Sequence, residues 1–484
     1  MTRWLFVIAI AACGKSSATD PDTRLPDGNP PGSCTALQGI YHADLHFEGY
    51  ESATSFRIDQ TGSTYQLATG LGTVPLTVGA TLTATIGDTA SSRTLAVDQL
   101  DADCTMHGTW TSCRNGDCYA YTLFAKKTDR LAEPVAHGMT LLSEFVGNPG
   151  DEWWNAGLAV NVRVANGLAY MANYEDGLRI VDVHDPAHPV ELGHQKPMFP
   201  TDGEIYNDVK IVGASGKTYA LMASNFRGVD VVDVTDPHAP SIVTSFGTAA
   251  PQQTSINVHT IFVDGGKAYL ANIDVGLEIW DLADPAHPVK LGQWAHDATP
   301  PAQPFPHDLY VSGARAYVNY WDAGMSIVDV STPAAPKLVG EFTGYGQHTS
   351  HSSWVTKIGD RMIAVHGDEQ WNSHLHLVDV TEGTPAFGTS IAEWGTREEV
   401  SAHNIMAFGS RAYVAYYQDG VRVLDLSDPA HPQPIAWFDT WPGYDQDYGT
   451  SFYEGAIGID VDLDAKLVYV ADSHRGLIVL HLDV

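Results

Sequence analysis

Residues 177–189 read GLRIVDVHDPAHP, and related stretches recur down the rest of the chain. Further copies begin at Gly228, Gly276, Gly324, His374, Gly420 and Gly476. The aspartate of the VD pair marks each copy, with His481 at that place in the last one, and successive markers lie 46 to 56 residues apart. A nearly fixed period of this size indicates one supersecondary unit that is repeated along the chain.

Each unit has the pattern of four short strands. In the fourth unit, alternating or apolar β-branched runs cover residues 307–312, 316–320, 325–330 and 337–342, with Gly, Asp and Pro between them. Such runs bounded by turn residues are typical of strands, and Pro ends the third strand because it cannot donate to a ladder. Seven units of this kind predict an all-β fold, a seven-bladed β-propeller over residues 141–484.

The two ends of the repeat region predict how the ring closes. The last unit stops after its third strand, at Val484. Residues 141–147 (LLSEFVG) have the pattern of a fourth strand with no three strands before it. We therefore expect residues 141–147 to pair with the last blade and close the propeller.

The repeats resemble the LVIVD repeat family of bacterial envelope proteins. The resemblance lies in the cores IVDV, VVDV, IWDL, IVDV, LVDV and VLDL and in the DP turns after them, and it covers about residues 141–484. It implies an extracytoplasmic propeller. It implies no particular activity, because most members of the family have no assigned function and a fold does not determine one.

The N-terminus has the features of an export signal. Arg3 precedes a short apolar stretch that is too short to span a bilayer, so residues 1–12 are predicted to be a signal peptide. The stretch ends in Ile-Ala-Ala-Cys, which resembles a bacterial lipobox and implies lipidation of Cys13; an ordinary secretory signal cut nearby is the alternative. Gly14 follows the cysteine where an inner-membrane lipoprotein would have Asp, which favours the outer membrane, on its periplasmic side or at the cell surface. Residues 13–33 are polar and are predicted to be a flexible tether.

Four further cysteines lie close together before the propeller. An even number of cysteines in an exported chain predicts disulfides, here Cys34–Cys104 and Cys113–Cys118. In the sequence SCRNGDC, Asn-Gly forms a two-residue hairpin turn and brings Cys113 opposite Cys118. A zinc site is the alternative, but this spacing is poor for zinc.

Residues 34–127 contain none of the repeat and alternate apolar and polar residues, which predicts a small antiparallel sandwich or barrel. Its opening, Gly-Ile-Tyr at 39–41, resembles that of lipocalin-like domains. A small-ligand barrel and a spacer or interaction module are both open. Residues 128–140 are predicted to be a linker.

The charge of the chain limits its partners. Its 58 acidic and 26 basic residues give a net charge of −32, so nucleic acid and anionic lipid would repel it. Two interpretations of this acidic charge are open: it keeps the protein soluble through mutual repulsion, or it forms a surface that binds cations. We expect a monomer that contacts the membrane through its lipid anchor only.

Four histidines occupy equivalent positions in neighbouring units. His259, His307 and His403 each stand ten residues before the Tyr of their second strand, and His351 aligns with them after a two-residue insertion. Strand order places these positions at the top of the channel, whereas the histidines of the DP turns lie at the bottom and are predicted to be structural. The polar residues predicted to share the channel mouth are Asn161, Asn207, Asp274, Asp322, Asp368, Asp419, Asp472 and Glu454.

Imidazoles and carboxylates that converge on one cavity are the ligands of a divalent metal such as zinc, iron, copper or manganese. Polar residues that simply line a wet channel are the alternative.

The first functional hypothesis is a binding protein whose top face engages an envelope protein, a peptide or a glycan. The second hypothesis is a metal-dependent hydrolase or oxidase with the four histidines as ligands. No catalytic residue is assigned.

Overall fold

The computed structural model describes residues 34, 36–48, 50–147, 158–199, 203–297, 305–344, 349–445 and 449–484. These residues form strands and turns only. None of them belongs to a helix that is long and apolar enough to cross a bilayer. The predicted signal peptide, tether and lipidation site at Cys13 lie outside the described residues.

The first domain is a closed barrel of eight antiparallel strands. Its strands are β1 (Gly39–Phe47), β2 (Tyr50–Thr61), β3 (Thr64–Thr69), β4 (Gly72–Val78), β5 (Leu82–Gly87), β6 (Ser91–Leu100), β7 (Met106–Arg114) and β8 (Asp117–Thr128). The rings of Tyr41, Phe56 and Trp110 stack inside it, and each is at most 4% exposed. Side chains thus form a packed apolar core inside the barrel, as in other small barrels.

Both predicted disulfides are present in the barrel. Cys34 bonds Cys104, with 5.0 Å between the Cα atoms, and Cys113 bonds Cys118 with 4.1 Å. Cys113 and Cys118 are directly opposite each other on β7 and β8, as the Asn-Gly turn predicted. The first bond ties the segment before β1 to the loop before β7, and the second bond closes a hairpin.

The second domain is the predicted seven-bladed propeller. Two strands precede its first blade, β9 (Ala136–His137) and β10 (Met139–Phe145). Blades 1 and 2 consist of β11 (Ala159–Ala165), β12 (Leu168–Asn173), β13 (Gly177–Asp182), β14 (Val190–Gln195), β15 (Tyr206–Ala214), β16 (Lys217–Ser224), β17 (Gly228–Asp233) and β18 (Ser241–Phe246). Blades 3 and 4 consist of β19 (Val258–Asp264), β20 (Lys267–Asn272), β21 (Gly276–Asp281), β22 (Val289–Trp294), β23 (Pro306–Ser312), β24 (Arg315–Tyr320), β25 (Gly324–Asp329) and β26 (Lys337–Phe342).

The remaining three blades follow the same plan. Blades 5 and 6 consist of β27 (Ser350–Ile358), β28 (Arg361–Asp368), β29 (Leu375–Asp379), β30 (Thr389–Trp394), β31 (Ile405–Phe408), β32 (Arg411–Ala415), β33 (Val421–Asp425) and β34 (Gln433–Phe438). Blade 7 consists of β35 (Ala456–Asp462), β36 (Leu467–Asp472) and β37 (Gly476–Leu482), with β10 as its outer strand.

β10 closes the ring by pairing with β37, so that Met139 lies opposite Leu482 and Phe145 opposite Leu477. This is the pairing that the sequence predicted, although the strand covers 139–145 and not 141–147. Apolar cores also join each pair of adjacent blades, including blade 7 with blade 1. The ring therefore closes through both hydrogen bonds and buried apolar surface.

The aspartates of the repeat hold the bottom turns. In the first unit, Asp182 accepts the backbone N–H of His184 at 2.9 Å, and Asp185 accepts that of Ala187 at 3.1 Å. The same contacts recur at Asp233, Asp281, Asp329, Asp379 and Asp425. A carboxylate that accepts turn N–H groups is a structural element.

The predicted linker 128–140 is largely structured. β8 extends to Thr128, β9 adds a fifth strand to blade 6, and β10 begins at Met139. The barrel consequently lies against the loops at the top face, which we define as the face where the innermost strands begin. Its contacts include Arg130 with Asp439 at 2.7 Å and Tyr444 with Asp59 at 2.9 Å.

His42 is buried in this contact between the barrel and the propeller. Its Nδ1 lies 2.5 Å from the carbonyl oxygen of Glu399, and its Nε2 lies 3.4 Å from the amide nitrogen of Gln418. Burial, and then the charge of Arg397, lower the pKa of His42 to about 4. When the neutral ring carries its proton on Nδ1, Nδ1 donates to the carbonyl oxygen of Glu399. Nε2 then accepts a hydrogen bond from the side-chain amide of Gln418.

Acidification is therefore expected to weaken the fold through His42. The native pKa lies below the unfolded value of 6.5, so this contribution is present above pH 6.5 and is lost as the pH falls toward 4. The loss is on the order of 3 kcal/mol. Urea unfolding at pH 7.5 and at pH 4 measures the free energy of unfolding of the wild type and of His42→Asn, whose asparagine cannot be protonated. The wild type should lose more unfolding free energy between the two pH values than the variant does. An equal loss of unfolding free energy in the variant would contradict this assignment.

Candidate metal site at the channel mouth

A β-bulge at the top of the innermost strand selects which side chain enters the channel. In six blades the register with the second strand shifts by one residue near the start of the innermost strand. In blade 6 the equivalent shift lies just before β31, where Ala415 bonds both His403 and Asn404. The extra residues are Val160, Asn207, His259, His307, His351, His403 and Ile457. Bulges often re-aim side chains at functional sites.

The four histidines at this position form a continuous row, which we call the histidine arc. Ring centroids are 3.8 Å apart between His259 and His307. They are 4.4 Å apart between His307 and His351, and 4.3 Å apart between His351 and His403. The sequence predicted that the four would share an opening, and the structure brings them into direct contact.

The arc contains several ring nitrogens that lack a hydrogen-bond partner among the described residues. Nδ1 of His307 is one of them; Nδ1 of His259 and both nitrogens of His351 also have no partner in hydrogen-bonding geometry, although the backbone of His307 and of His403 lies close to these two rings. His403 differs, because its Nδ1 lies 2.7 Å from the carbonyl oxygen of Ile457. Buried polar atoms are normally paired, so these nitrogens are available for a ligand.

Burial keeps the arc neutral. It lowers the pKa of His259 and of His403 to about 4. Burial, and then the neighbouring histidines, hold the pKa of His307 and of His351 well below the usual range. A neutral imidazole has a free lone pair, which is the form that binds metals.

Glu369 completes the cluster from the turn that follows β28. Its carboxylate oxygens lie 3.7 Å from Nε2 of His351 and 3.9 Å from Nε2 of His403. One ligand atom each from His307, His351 and Glu369 lie within 4.8 Å of one another. Tyr417 donates its hydroxyl to the Glu369 carboxylate. Glu369 is 5% exposed, and burial raises its pKa to about 8.

The arc opens into a cavity of about 50 Å³ inside the channel. Asn161, Asn207 and Asp208 line this cavity together with the four histidines. Deeper in the channel, Asp208 binds Lys210 at 2.5 Å and accepts the side-chain amide of Asn161 at 2.6 Å. The volume is sufficient for an ion with a few water molecules.

The remaining predicted mouth residues lie elsewhere. Asp274, Asp322 and Asp419 lie in top turns and Asp368 and Asp472 end the strands before such turns, and none of the five is among the described residues that line the cavity. Asp419 binds Arg397 at 2.6 Å, Asp472 accepts the backbone N–H of His474, and Asp368 accepts that of His374. Asp368 and Asp472 thus cap the turns that follow them, as is common for Asp, whereas Asp419 is used by an arginine of another loop.

Glu454 was predicted to share the channel mouth, but it is not among the described residues that line the cavity. The bulge of blade 7 falls at Ile457. Glu454 is buried before the strand and accepts the backbone N–H of Gly449 at 2.8 Å. The irregular loop before β35 has no repeat pattern, so the sequence alignment was shifted by three residues.

The bottom-turn histidines are remote from this site. His188, His287 and His431 are exposed, and each ring contacts the aspartate three residues earlier at 2.8 to 2.9 Å. They close their turns, as predicted.

Sequence comparison supports the repeat assignment. Five segments match the family model for the LVIVD repeat, at residues 156–195, 207–248, 257–295, 306–344 and 401–440. The propeller carries LVIVD repeats. No curated protein matches the chain.

Two solved structures resemble the LVIVD propeller. The WD40 domain of Pan2 from Neurospora crassa is 11% identical and matches with a TM-score of 0.50, covering 73% of this chain and 98% of its own. The computationally designed protein Ika8 is 9% identical, with a TM-score of 0.43 and coverage of 82% of this chain and 95% of its own. The Pan2 match shows the propeller fold and nothing about activity.

Blade 5 departs from the LVIVD pattern where the site is built. His259, His307 and His403 lie in segments that match the repeat, whereas His351 and Glu369 belong to a blade that does not. The turn between its second and third strands spans residues 369–374, compared with residues 174–176 in blade 1. This longer turn brings a carboxylate to the arc, and its length was the signal in the sequence that could have revealed Glu369.

Proposed function

We propose that this chain is an exported binding protein that holds a divalent transition-metal ion at the top of its channel and engages its ligand there. The propeller with its LVIVD repeats supports a role as an interaction scaffold. The observation that carries the metal proposal is the approach of His307, His351 and Glu369 within 4.8 Å beside unpaired imidazole nitrogens.

The ligand atoms favour a particular class of ion. Two imidazoles and one carboxylate suit zinc, iron, copper or manganese, whereas magnesium and calcium take oxygen ligands. A tetrahedral zinc ion needs ligand atoms about 3.3 Å apart. The three ligand atoms would have to close by up to about 1.5 Å around such an ion. His259 and His403 lie on either side of this group in the arc and are not counted among its three ligands.

Three protein ligands leave coordination positions open to the cavity. An open position binds an oxygen or nitrogen donor of a second molecule. The chain carries a net charge of −32, so the ion would provide a local attraction for anionic groups that the acidic surface lacks. We therefore propose a carboxylate-bearing peptide or glycan, presented by the envelope, as the ligand of the top face.

Export and anchoring are part of this proposal. The stretch Ile-Ala-Ala-Cys that ends at Cys13 supports lipidation, and the following Gly14 supports an outer-membrane location. Two disulfides in the barrel support an oxidising compartment. The polar residues 13–33 would serve as the tether between the anchor and the barrel.

The metal proposal is tested by loading purified protein with Zn²⁺ and removing excess ion. We expect one tightly held zinc per chain in the wild type and less than a tenth of that in His307→Ala/His351→Ala. The matched control is His287→Ala/His431→Ala, which removes two exposed bottom-turn histidines and should leave stoichiometry unchanged. Absence of bound zinc in the wild type, or equal loss in the control, would refute the proposal.

A further inference from the structure

The barrel covers the turn that carries Glu369, which we call the Glu369 loop (residues 369–374). We propose that the barrel is a positioning domain that holds Glu369 against the histidine arc and thereby sets the affinity of the metal site. This inference rests on the proposed metal function. It gives the barrel, whose own interior holds a packed apolar core, a role in the site on the other domain.

The first contact is a hydrogen bond from the edge of β2. The backbone N–H of Ala53 donates to Oε1 of Gln370, the residue next to Glu369, at 2.8 Å. Nε2 of Gln370 donates to the hydroxyl of Tyr453 at 3.3 Å. The barrel thus supplies a backbone N–H donor that its own sheet does not use. Both the oxygen and the nitrogen of the Gln370 side-chain amide are hydrogen-bonded.

The second contact is aromatic. Phe124 on β8 meets Trp371 edge-on, with 5.8 Å between ring centroids and an angle of 84° between the rings. Trp371 is 8% exposed although it lies in a loop on the top face. An edge-to-face pair of this kind contributes about 0.5–1.5 kcal/mol beyond the area that it buries.

The third contact reaches the loop through Glu398. The backbone N–H of Asn372 donates to the carbonyl oxygen of Glu398 at 2.6 Å. The side chain of Glu398 forms an ion pair with Lys126 on β8. Lys126 and Phe124 are two residues apart on the same strand and therefore face the propeller together.

The backbone of the loop needs such support. Gln370 has φ of 151° and Asn372 has φ of 57°, both in the region that residues other than glycine seldom adopt. Such conformations cost about 1 to 3 kcal/mol each and persist only when the surroundings enforce them. The barrel supports Gln370 directly through Ala53 and supports Asn372 indirectly through Glu398, and a loop that relaxed would carry the Glu369 carboxylate away from His351.

The test weakens the barrel contacts without touching a metal ligand. Phe124→Ala/Lys126→Ala removes two of the three contacts, and Gln370→Ala removes the third from the propeller side. Tyr119→Ala is the matched control, because Tyr119 is an exposed aromatic on the same strand, at 46% exposure. Gln370→Glu is the conservative variant, since its carboxylate still accepts the Ala53 N–H.

Zinc affinity is measured by competition with a chelator, and hydrogen exchange of the Glu369 loop is measured without metal. We expect both weakened variants to lose about 10- to 100-fold in zinc affinity, as for loss of an outer-shell partner, and to exchange faster in this loop. Tyr119→Ala and Gln370→Glu should resemble the wild type. Wild-type affinity in both weakened variants, with the barrel folded, would overturn the inference.

The exchange experiment separates this inference from the metal proposal. If the wild type bound no zinc, the metal proposal would fail, and exchange in the Glu369 loop would still report whether the barrel orders it. Unchanged exchange in both weakened variants would then overturn the positioning role as well.

Discussion

Replacing Glu369 with glutamine is expected to lower the affinity for Zn²⁺ by at least about 100-fold. Loss of an outer-shell partner alone costs 10- to 100-fold, and Glu369 supplies the carboxylate of the three-residue group. Glutamine keeps the size of the side chain and can still accept the Tyr417 hydroxyl, so the cavity should keep its shape. Chelator competition on the folded variant measures the loss.

The neighbouring carboxylate provides the control for this prediction. Asp368 caps the loop through the backbone N–H of His374 and does not face the arc. Asp368→Asn keeps an oxygen at that position, so we expect its zinc affinity to stay within a few-fold of the wild type. The stability of Glu369→Gln should equal or exceed that of the wild type, because a buried carboxylate is costly to desolvate. Wild-type zinc affinity in Glu369→Gln would exclude this residue as a ligand.

Removing residues 476–484 is expected to abolish cooperative folding of the propeller. These residues include β37, which pairs with β36 on one side and with the closing strand β10 on the other. Leu477, Ile478, Val479 and Leu480 are fully buried there. Each buried side chain of this type contributes about 1.5–3 kcal/mol, and the sum is comparable to the whole stability of a domain.

The truncated chain can be compared with one that lacks only residues 483–484. Val484 is 37% exposed, and the shorter truncation leaves every strand intact. We expect a single thermal transition in that control, and loss of near-ultraviolet circular dichroism with rapid proteolysis in the longer truncation. A normal melting transition without β37 would mean that the ring does not depend on this closure.

The architecture of the propeller could be predicted from sequence because each of the repeated units contains the same pattern of strands and turns. Alternating runs give the strands, Asp and Pro give the bottom turns, and the period gives the number of blades. The closing strand was predictable because residues 141–147 match a fourth strand that has no first three. The equivalence of His259, His307 and His403 followed from constant spacing to the second-strand Tyr.

The parts that could not be predicted depend on irregular loops. Docking of the barrel on the top face arises from single contacts such as Ala53 with Gln370, and no pattern in either segment indicates a partner. Glu369 lies beside Asp368. Asp368 occupies the position equivalent to the other aspartates at the ends of the second strands, so the repeat pattern indicated Asp368 and not Glu369. Only the greater length of the turn sets Glu369 apart, and where its carboxylate points depends on the support of that turn.

Anomalous diffraction at the zinc absorption edge tests the central claim most directly. Crystals of the Zn²⁺-loaded protein should show one strong peak at bonding distance, about 2 Å, from His307, His351 and Glu369. A peak at the Asp–His pairs of the bottom turns, or no peak from protein loaded with one equivalent of zinc, would contradict the account.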